Sequence, residues 1–508
     1  MVLRRLLVPS YADWLSVVLI AWLFVAGSGW MALLADGDTG WHIRAGELIL
    51  DTHRVPRVDP FSFTQPGAPW YAWEWLSDVL FAGAHRALGL KGVVLLAGLA
   101  IAAYLTILFR HMLWQGADVF TAAIVCLLAA GASGIHYLAR PHVFSLLLLA
   151  VALWLIERDR AKPGGLVWLL VPLTALWANL HGGFVALLAS LAALAAGSLL
   201  EGRLASARRY GLLLAACGAA SLANPYGLEL HRHVLSYLRS DWIRTAIDEF
   251  QSPKFRSESA FDFELLLAAA VLVAGAAVRR RDFGRALLLA GWAHAALVSV
   301  RHVPVFALVA APAIASQASL WWRGWAETRP ARSLAGIAGR LASEHSSAAR
   351  SLSLWPAAVV LALVLLPLPW PRDFPAAKFP TAIVDRHPEL AGARVFTSDQ
   401  WGDYLIYRLY PRSRVFIDGR SDFYGPRLGK LYLKIAYVQT DWRCQLSRFG
   451  IAFVLADRDW PLANLLRQDP EWRLADEAGP AILLARAGGT APAAMNSHSP
   501  PATCYGAP

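Results

Sequence analysis

At the end of its first long apolar stretch the chain reads Ala35-Asp36-Gly37-Asp38-Thr39-Gly40-Trp41-His42-Ile43-Arg44. Two carboxylates, an imidazole and a guanidinium stand together where a membrane helix would meet water. Asp36 and Asp38 form a D-x-D pair, and two hard oxygen donors at that spacing can share a divalent cation such as Mg²⁺ or Mn²⁺. Asp38 is equally suited to cap a helix from Thr39 to Leu50, holding its free N–H groups. Of the two, Asp36 is assigned to chemistry and Asp38 to the cap. His42 and Arg44 add cationic character that a plain cap does not require, and are read as phosphate contacts.

Other clusters follow along the chain. Asp59-Pro60 starts a turn, and Trp70-Tyr71-Ala72-Trp73-Glu74-Trp75 fits an interfacial aromatic belt or a sugar-stacking platform around one carboxyl. Arg140 with His142, Asn179 with His181, and Arg301 with His302 place donors at helix ends, where Arg suits bidentate contact with a phosphate. Asp248-Glu249 is a second acidic pair. Asp418-Gly419 follows a strand, where α/β folds place ligands and where a tight turn is also at home.

The elements that position these groups are membrane helices. Of 508 residues, 57% are hydrophobic and only 16% charged, and the mean hydropathy is +0.43, which a soluble domain does not reach. About eleven apolar segments are expected, at roughly 14–35, 90–109, 119–135, 143–156, 165–180, 183–200, 211–224, 263–278, 285–300, 303–318 and 354–370. Residues 74–89 read as an amphipathic helix on the membrane surface or a further partial span. The net charge of +11 is concentrated in short loops on alternate sides, so it reports topology rather than a nucleic-acid partner.

With a cytoplasmic N-terminus, the loops holding Arg110, Arg158, Arg208, Arg280 and Arg323 face inward, as the positive-inside rule requires. The His, Asn and carboxylate clusters then all face outward, which argues for a cavity open on one side and against a channel. No polar cluster is expected on the inner side, as a carrier of lipid-linked or anionic solutes would need.

Met1 to Arg5 reads as a retained signal-anchor in the inner membrane. The four cysteines lie far apart and suggest neither a disulfide framework nor a metal knuckle. The expected architecture is a mainly α polytopic bundle over 1–370, with outer loops at 36–89 and 225–262. A small α/β domain over 371–487 lies outside the membrane, and a disordered tail runs over 488–508. Its strands are expected at Arg394–Thr397, Arg414–Ile417, Ala452–Ala456, Trp472–Leu474 and Ala481–Leu484.

A carboxylate closing the first span, many helices, a second long outer loop and a terminal outward domain together resemble the GT-C superfamily of membrane glycosyltransferases. The architecture is similar to that of protein O-mannosyltransferases and oligosaccharyltransferase catalytic subunits. Asp399-Gln400-Trp401-Gly402-Asp403-Tyr404-Leu405 resembles their W-W-D-Y-G segment, and Arg414-Val415-Phe416-Ile417-Asp418-Gly419-Arg420 the strand-plus-Asp that comes after it.

The resemblance implies transfer of a sugar from a polyprenyl-phosphate carrier in the membrane lipid to an acceptor on the outer face. It makes Asp36 or Asp38 the catalytic carboxylate or metal ligand and Asp248 or Glu249 the acidic residue of the later loop. Arg140, His142, His181, Arg301 and His302 would hold the donor phosphate, and Glu74, Trp401, Asp403, Tyr404, Asp418 and Arg420 would shape the acceptor site. Two departures are visible: the 136–142 loop has no D-x-D, and Gly402 interrupts W-W-D-Y-G. A protein- or lipid-directed transferase fits these better than Asn-glycan transfer. The competing classes are a non-enzymatic carrier and a membrane scaffold subunit.

Overall fold

The computed structural model describes residues 7–26, 29–256, 258–330, 332–333, 336–337, 339–341 and 353–488. The expected N-terminal anchor at Met1–Arg5 and the tail beyond Gly488 lie outside the described residues. The chain is mainly helical and divides into two compact units, one of Met1–Trp30 with Leu95–Pro369, the other of Met31–Val94 with Trp370–Pro508. The first outer loop is therefore grouped with the C-terminal part rather than with the helices that follow it in sequence.

The first unit is a helical bundle. Among the described residues three helices are long and apolar enough to cross a membrane by length and composition: Leu90–Trp114, Ala260–Arg279 and Val300–Glu327. Six further apolar helices are shorter, among them Tyr11–Phe24, Phe184–Leu200 and Phe283–Val298. Of the roughly eleven apolar segments expected, three therefore form helices of full spanning length among the described residues. The shortfall has a physical basis: polar or Gly breaks end helices short of the ~20 residues a span needs. At Leu180 the helix stops because His181 is extended (φ −168°, ψ 150°), and the next begins at Phe184.

In the second unit a four-stranded sheet runs in the order β1 (Val395–Phe396), β2 (Phe453–Asp457), β4 (Ala481–Arg486), β3 (Trp472–Ala478). β1 and β2 are parallel, and the other two pairs are antiparallel. β2 and β4 occupy the centre and read as near-continuous apolar runs because both of their faces are covered. Their Val454, Ile482 and Leu484 pack with Phe396, Phe416, Ile435 and Leu466 in one core.

The strand expected at 414–417 does not form. Val415 instead makes an isolated parallel bridge with Ser62, giving its N–H to the Phe61 carbonyl (2.9 Å) and accepting the Phe63 N–H (3.0 Å). Helices Asp38–Thr52 and Trp75–Leu88 pack together, and the first of them also packs on Asp399–Leu409.

Candidate active site

The site in the second unit is built where helix Asp38–Thr52 meets helix Asp399–Leu409. The close approach depends on residues without side chains. A Cβ on Gly402 would lie 2.0 Å from the Ile417 carbonyl oxygen, so the position that interrupts the W-W-D-Y-G resemblance admits only glycine. A Cβ on Gly419 would lie 1.9 Å from Asp38 Oδ1 and 2.9 Å from Asp403 Oδ2. Those two carboxylate oxygens therefore converge on one bare backbone position.

Asp38 is 5% exposed and Asp403 is fully buried. Asp403 Oδ1 accepts the Gly419 N–H at 2.9 Å, while its Oδ2 has no hydrogen-bond partner among the described residues. Burial, then the negative charges of Asp38, Asp418 and Asp399, push the Asp403 carboxyl well above the usual carboxylate range. Two full charges about 4 Å apart repel by ~4 kcal/mol at an effective dielectric near 20. One proton held by the pair removes that cost.

The expected division of labour between Asp36 and Asp38 is reversed. The helix begins at Asp38 with Gly37 at its N-cap and no side-chain cap. It is Asp36 whose Oδ1 accepts the Asp38 N–H, at 2.9 Å. Asp36 thus does the local capping work, and the Asp38 carboxylate is turned into the buried cluster.

His42, one turn further on, does not present itself to an anion. Its Nδ1 lies 2.6 Å from Asp78 Oδ1 and its Nε2 3.8 Å from Glu74 Oε2. Burial first, then Glu74, holds the Asp78 carboxyl well above its ordinary value. Asp78 was not anticipated; its signal was a second carboxylate one helical turn after Glu74 in an otherwise apolar segment. Arg44 is likewise committed, its Nε donating to the Tyr407 carbonyl at 2.8 Å and its Nη1 to Glu47 at 2.5 Å.

Several residues expected to shape an acceptor site are structural. Trp401 is buried with its Nε1–H on the Lys378 carbonyl (2.8 Å), and Tyr404 is buried with its hydroxyl on Asp373 (2.9 Å). Asp418 accepts Arg420 Nε (2.8 Å) and Nη2 (2.6 Å) and the Tyr424 hydroxyl (2.6 Å), and Asp59 faces the same guanidinium at 2.8 Å. Arg420 also lies over the Trp70 ring at 4.7 Å and the Phe61 ring at 5.1 Å. Trp70 is therefore a buried wall for a cation, not part of an exposed belt.

In the first unit Arg140 and Arg301 meet around one carboxylate. Glu249 lies between Arg140 (2.9 Å) and Arg301 (3.6 Å). Those two guanidinium groups overcome its burial and bring its carboxyl down to about 2. His136 Nε2 contacts the Arg301 carbonyl (3.1 Å), and His142 Nε2 the His136 carbonyl (2.7 Å). His181 Nδ1 accepts the Gly183 N–H (2.9 Å) and meets Ser145 Oγ (2.7 Å). Two guanidinium groups against one carboxylate leave this cluster cationic. His302 turns away, to the Ala295 carbonyl, and Asp248 is exposed.

The expected metal set of Asp36, Asp38, Asp248 and Glu249 does not fit a divalent ion. Asp36 is engaged by backbone N–H and Glu249 by two guanidinium groups, and no group of three or more ligating side chains suited to a metal occurs among the described residues. Two other expectations are corrected. Cys444 is disulfide-bonded, whereas Cys126 and Cys217 are free and buried. A charged cluster also occupies the helix ends expected to face the cytoplasm. There Arg160 bridges Glu157 and Asp282 (both 2.6 Å), and Arg209 pairs with Asp159 (2.6 Å) beside a cavity of about 580 Å³.

No protein-family model and no curated protein matches the chain. Solved structures do. The oligosaccharyltransferase AglB of Archaeoglobus fulgidus, in complex with an inhibitory peptide and a dolichol-phosphate, superposes with a TM-score of 0.57 at 12% identity, over 88% of this chain and 69% of that one. The same organism's oligosaccharyltransferase, tethered with an acceptor peptide containing the NVT sequon, gives 0.52 at 13% identity, over 88% and 68%. ArnT from Cupriavidus metallidurans, bound to undecaprenyl phosphate, gives 0.49 at 11% identity, over 94% and 97%. Identity this low speaks to fold alone. The fold of this chain is similar to that of the Archaeoglobus fulgidus oligosaccharyltransferase AglB.

Proposed function

We propose that the protein is an integral-membrane glycosyltransferase that moves a sugar from a polyprenyl-phosphate donor to a protein, lipid or glycan acceptor. The observation that carries the reading is the Asp38–Asp403 pair closed against Gly419, two buried carboxylates of which one is pushed toward its neutral form. A pair whose environments separate its titrations supplies an ionised base beside a neutral acid. Asp38 is assigned as the base. It takes the acceptor proton as the acceptor oxygen bonds to the anomeric carbon, and the carbon–oxygen bond to the carrier breaks with its electrons going to the phosphate. Arg140 and Arg301, with His136, His142 and His181 around them, are assigned to the carrier phosphate. Fixed cations of this kind are commonly a large term in phosphate departure.

The AglB structure was solved with a dolichol-phosphate and a peptide, and that supports a lipid-phosphate donor for this chain. The shorter apolar helices are assigned to partial or tilted spans, with the N-terminus cytoplasmic and the α/β part outside. The disulfide at Cys444 supports an oxidising location for that part. The charged cluster at the inner helix ends does not favour a carrier, because its acidic and basic groups neutralise one another.

The test is transfer by the purified protein from a polyprenyl-phosphate sugar, with Asp38→Asn and Asp36→Asn compared. Loss of the base is expected to lower turnover by roughly 10²–10⁴-fold in Asp38→Asn. Asp36→Asn, which keeps a capping oxygen, is expected to stay near the parent. Full activity in Asp38→Asn would remove Asp38 from the chemistry.

A further inference from the structure

Away from the carboxylate pair, the second unit carries a groove of about 870 Å³ between the 421–436 and 442–448 helices. Its size is that of a small-molecule or short-glycan site. The longer helix is broken at Gly425 (φ 62°), and a fresh helical run starts at Pro426. Arg427, Lys430 and Lys434 then fall three and four residues apart, which places them on one face. All three line the groove, and Arg448 of the second helix joins them. Asp441 is the one carboxylate on the rim, so four cations face one anion.

A patch of surface cations alone would be unremarkable, but the floor adds an independent signal. Gln445 lines the groove, is only 6% exposed, and its Oε1 has no hydrogen-bond partner among the described residues. A buried amide oxygen left without a donor costs stability, so its retention points to a partner brought by a ligand. That partner must offer an O–H or N–H. Inorganic phosphate near neutral pH offers mainly acceptors, whereas a sugar or glycerol phosphate offers hydroxyls beside its charge. Phe449, half-buried at the same groove, supplies an aromatic face of the kind that sugar rings cover.

We propose that this groove binds a phosphate ester flanked by hydroxyls, with the cations on the phosphate and Gln445 on a hydroxyl. The group can come from a free sugar phosphate or from the glycerol phosphate headgroup of a lipid. Binding here is separate from the transfer reaction and is read without turnover. The experiment uses the full chain in phosphatidylcholine nanodiscs, titrated calorimetrically with glucose 6-phosphate, inorganic phosphate and glucose.

Glucose 6-phosphate is expected to bind more tightly than either of the others. The exposed pair Lys430→Glu with Arg448→Glu is expected to weaken it about tenfold or more with an unchanged melting temperature. Gln445→Leu is expected to erase the preference for glucose 6-phosphate over inorganic phosphate. Moving the protein to phosphatidylglycerol nanodiscs separates the sources: weaker glucose 6-phosphate binding there identifies a competing lipid headgroup, and unchanged binding identifies the free ester. The proposal is overturned by absence of glucose 6-phosphate binding in phosphatidylcholine. It is equally overturned by binding that survives the double reversal, or by a preference that survives Gln445→Leu.

Discussion

Asp403 is the residue whose protonation most sharply reports on the cluster. Its folded-state carboxyl titrates above the unfolded value of 3.8, chiefly because it is buried and then because Asp38 is close. Its contribution to stability is thus fully present below the unfolded value and is lost as pH rises through the raised folded value. Asp403→Asn keeps an acceptor for the Gly419 N–H and cannot ionise. The variant should therefore match the parent in melting temperature at low pH and exceed it by a growing margin as pH rises, in parallel thermal melts. A difference that does not change with pH would mean that Asp403 carries no raised titration. The same residue shows the limit of reading from sequence. Asp403 could be picked out by its segment, but not its partner, since nothing in D-T-G or W-G-D-Y states that two carboxylates distant in the chain share one glycine.

At the scale of elements, much was legible. The 38–52 and 75–88 helices and four strands of the α/β part stand within a few residues of expectation, because apolar periodicity and capping residues act locally. What was not legible is the contact between elements. Arg44 instead ties the 38–52 helix to the 399–409 helix, and Trp401 and Tyr404 tie the latter to the irregular 373–378 segment. The strand expected at 414–417 failed because its edge meets only Phe61–Phe63. The helix–backbone approach at Gly402 makes an element-level prediction. Gly402→Ala places a methyl about 2.0 Å from the Ile417 carbonyl, and overpacking of this kind typically costs ~1–3 kcal/mol. A lowered thermal midpoint is expected together with lost transfer, since the segment carrying Asp418 and Gly419 must shift. A variant as stable and active as the parent would show that the approach is not needed.

At the scale of the whole molecule, the basic loops support the proposed orientation, and labelling can check it. Single cysteines at Arg208 and Arg281 should react with an impermeant maleimide only from the cytoplasmic side, and one at Arg239 only from the outside. Reaction of Arg239→Cys and Arg281→Cys from the same side would break the proposed topology. The pairing of Asp38 with Asp403 bears on the whole chain in another way. These residues come from opposite ends of the polypeptide, and the glycine they close on is later still. During synthesis the first carboxylate emerges early and waits through the making of the entire helical bundle before its counterpart exists. Until then it stands at a helix start beside Asp36 and without Asp403. On the proposed function, competence for transfer waits on synthesis through residue 419: a ribosome stalled before it holds a protein with its helical bundle made but the carboxylate pair not yet closed on its glycine.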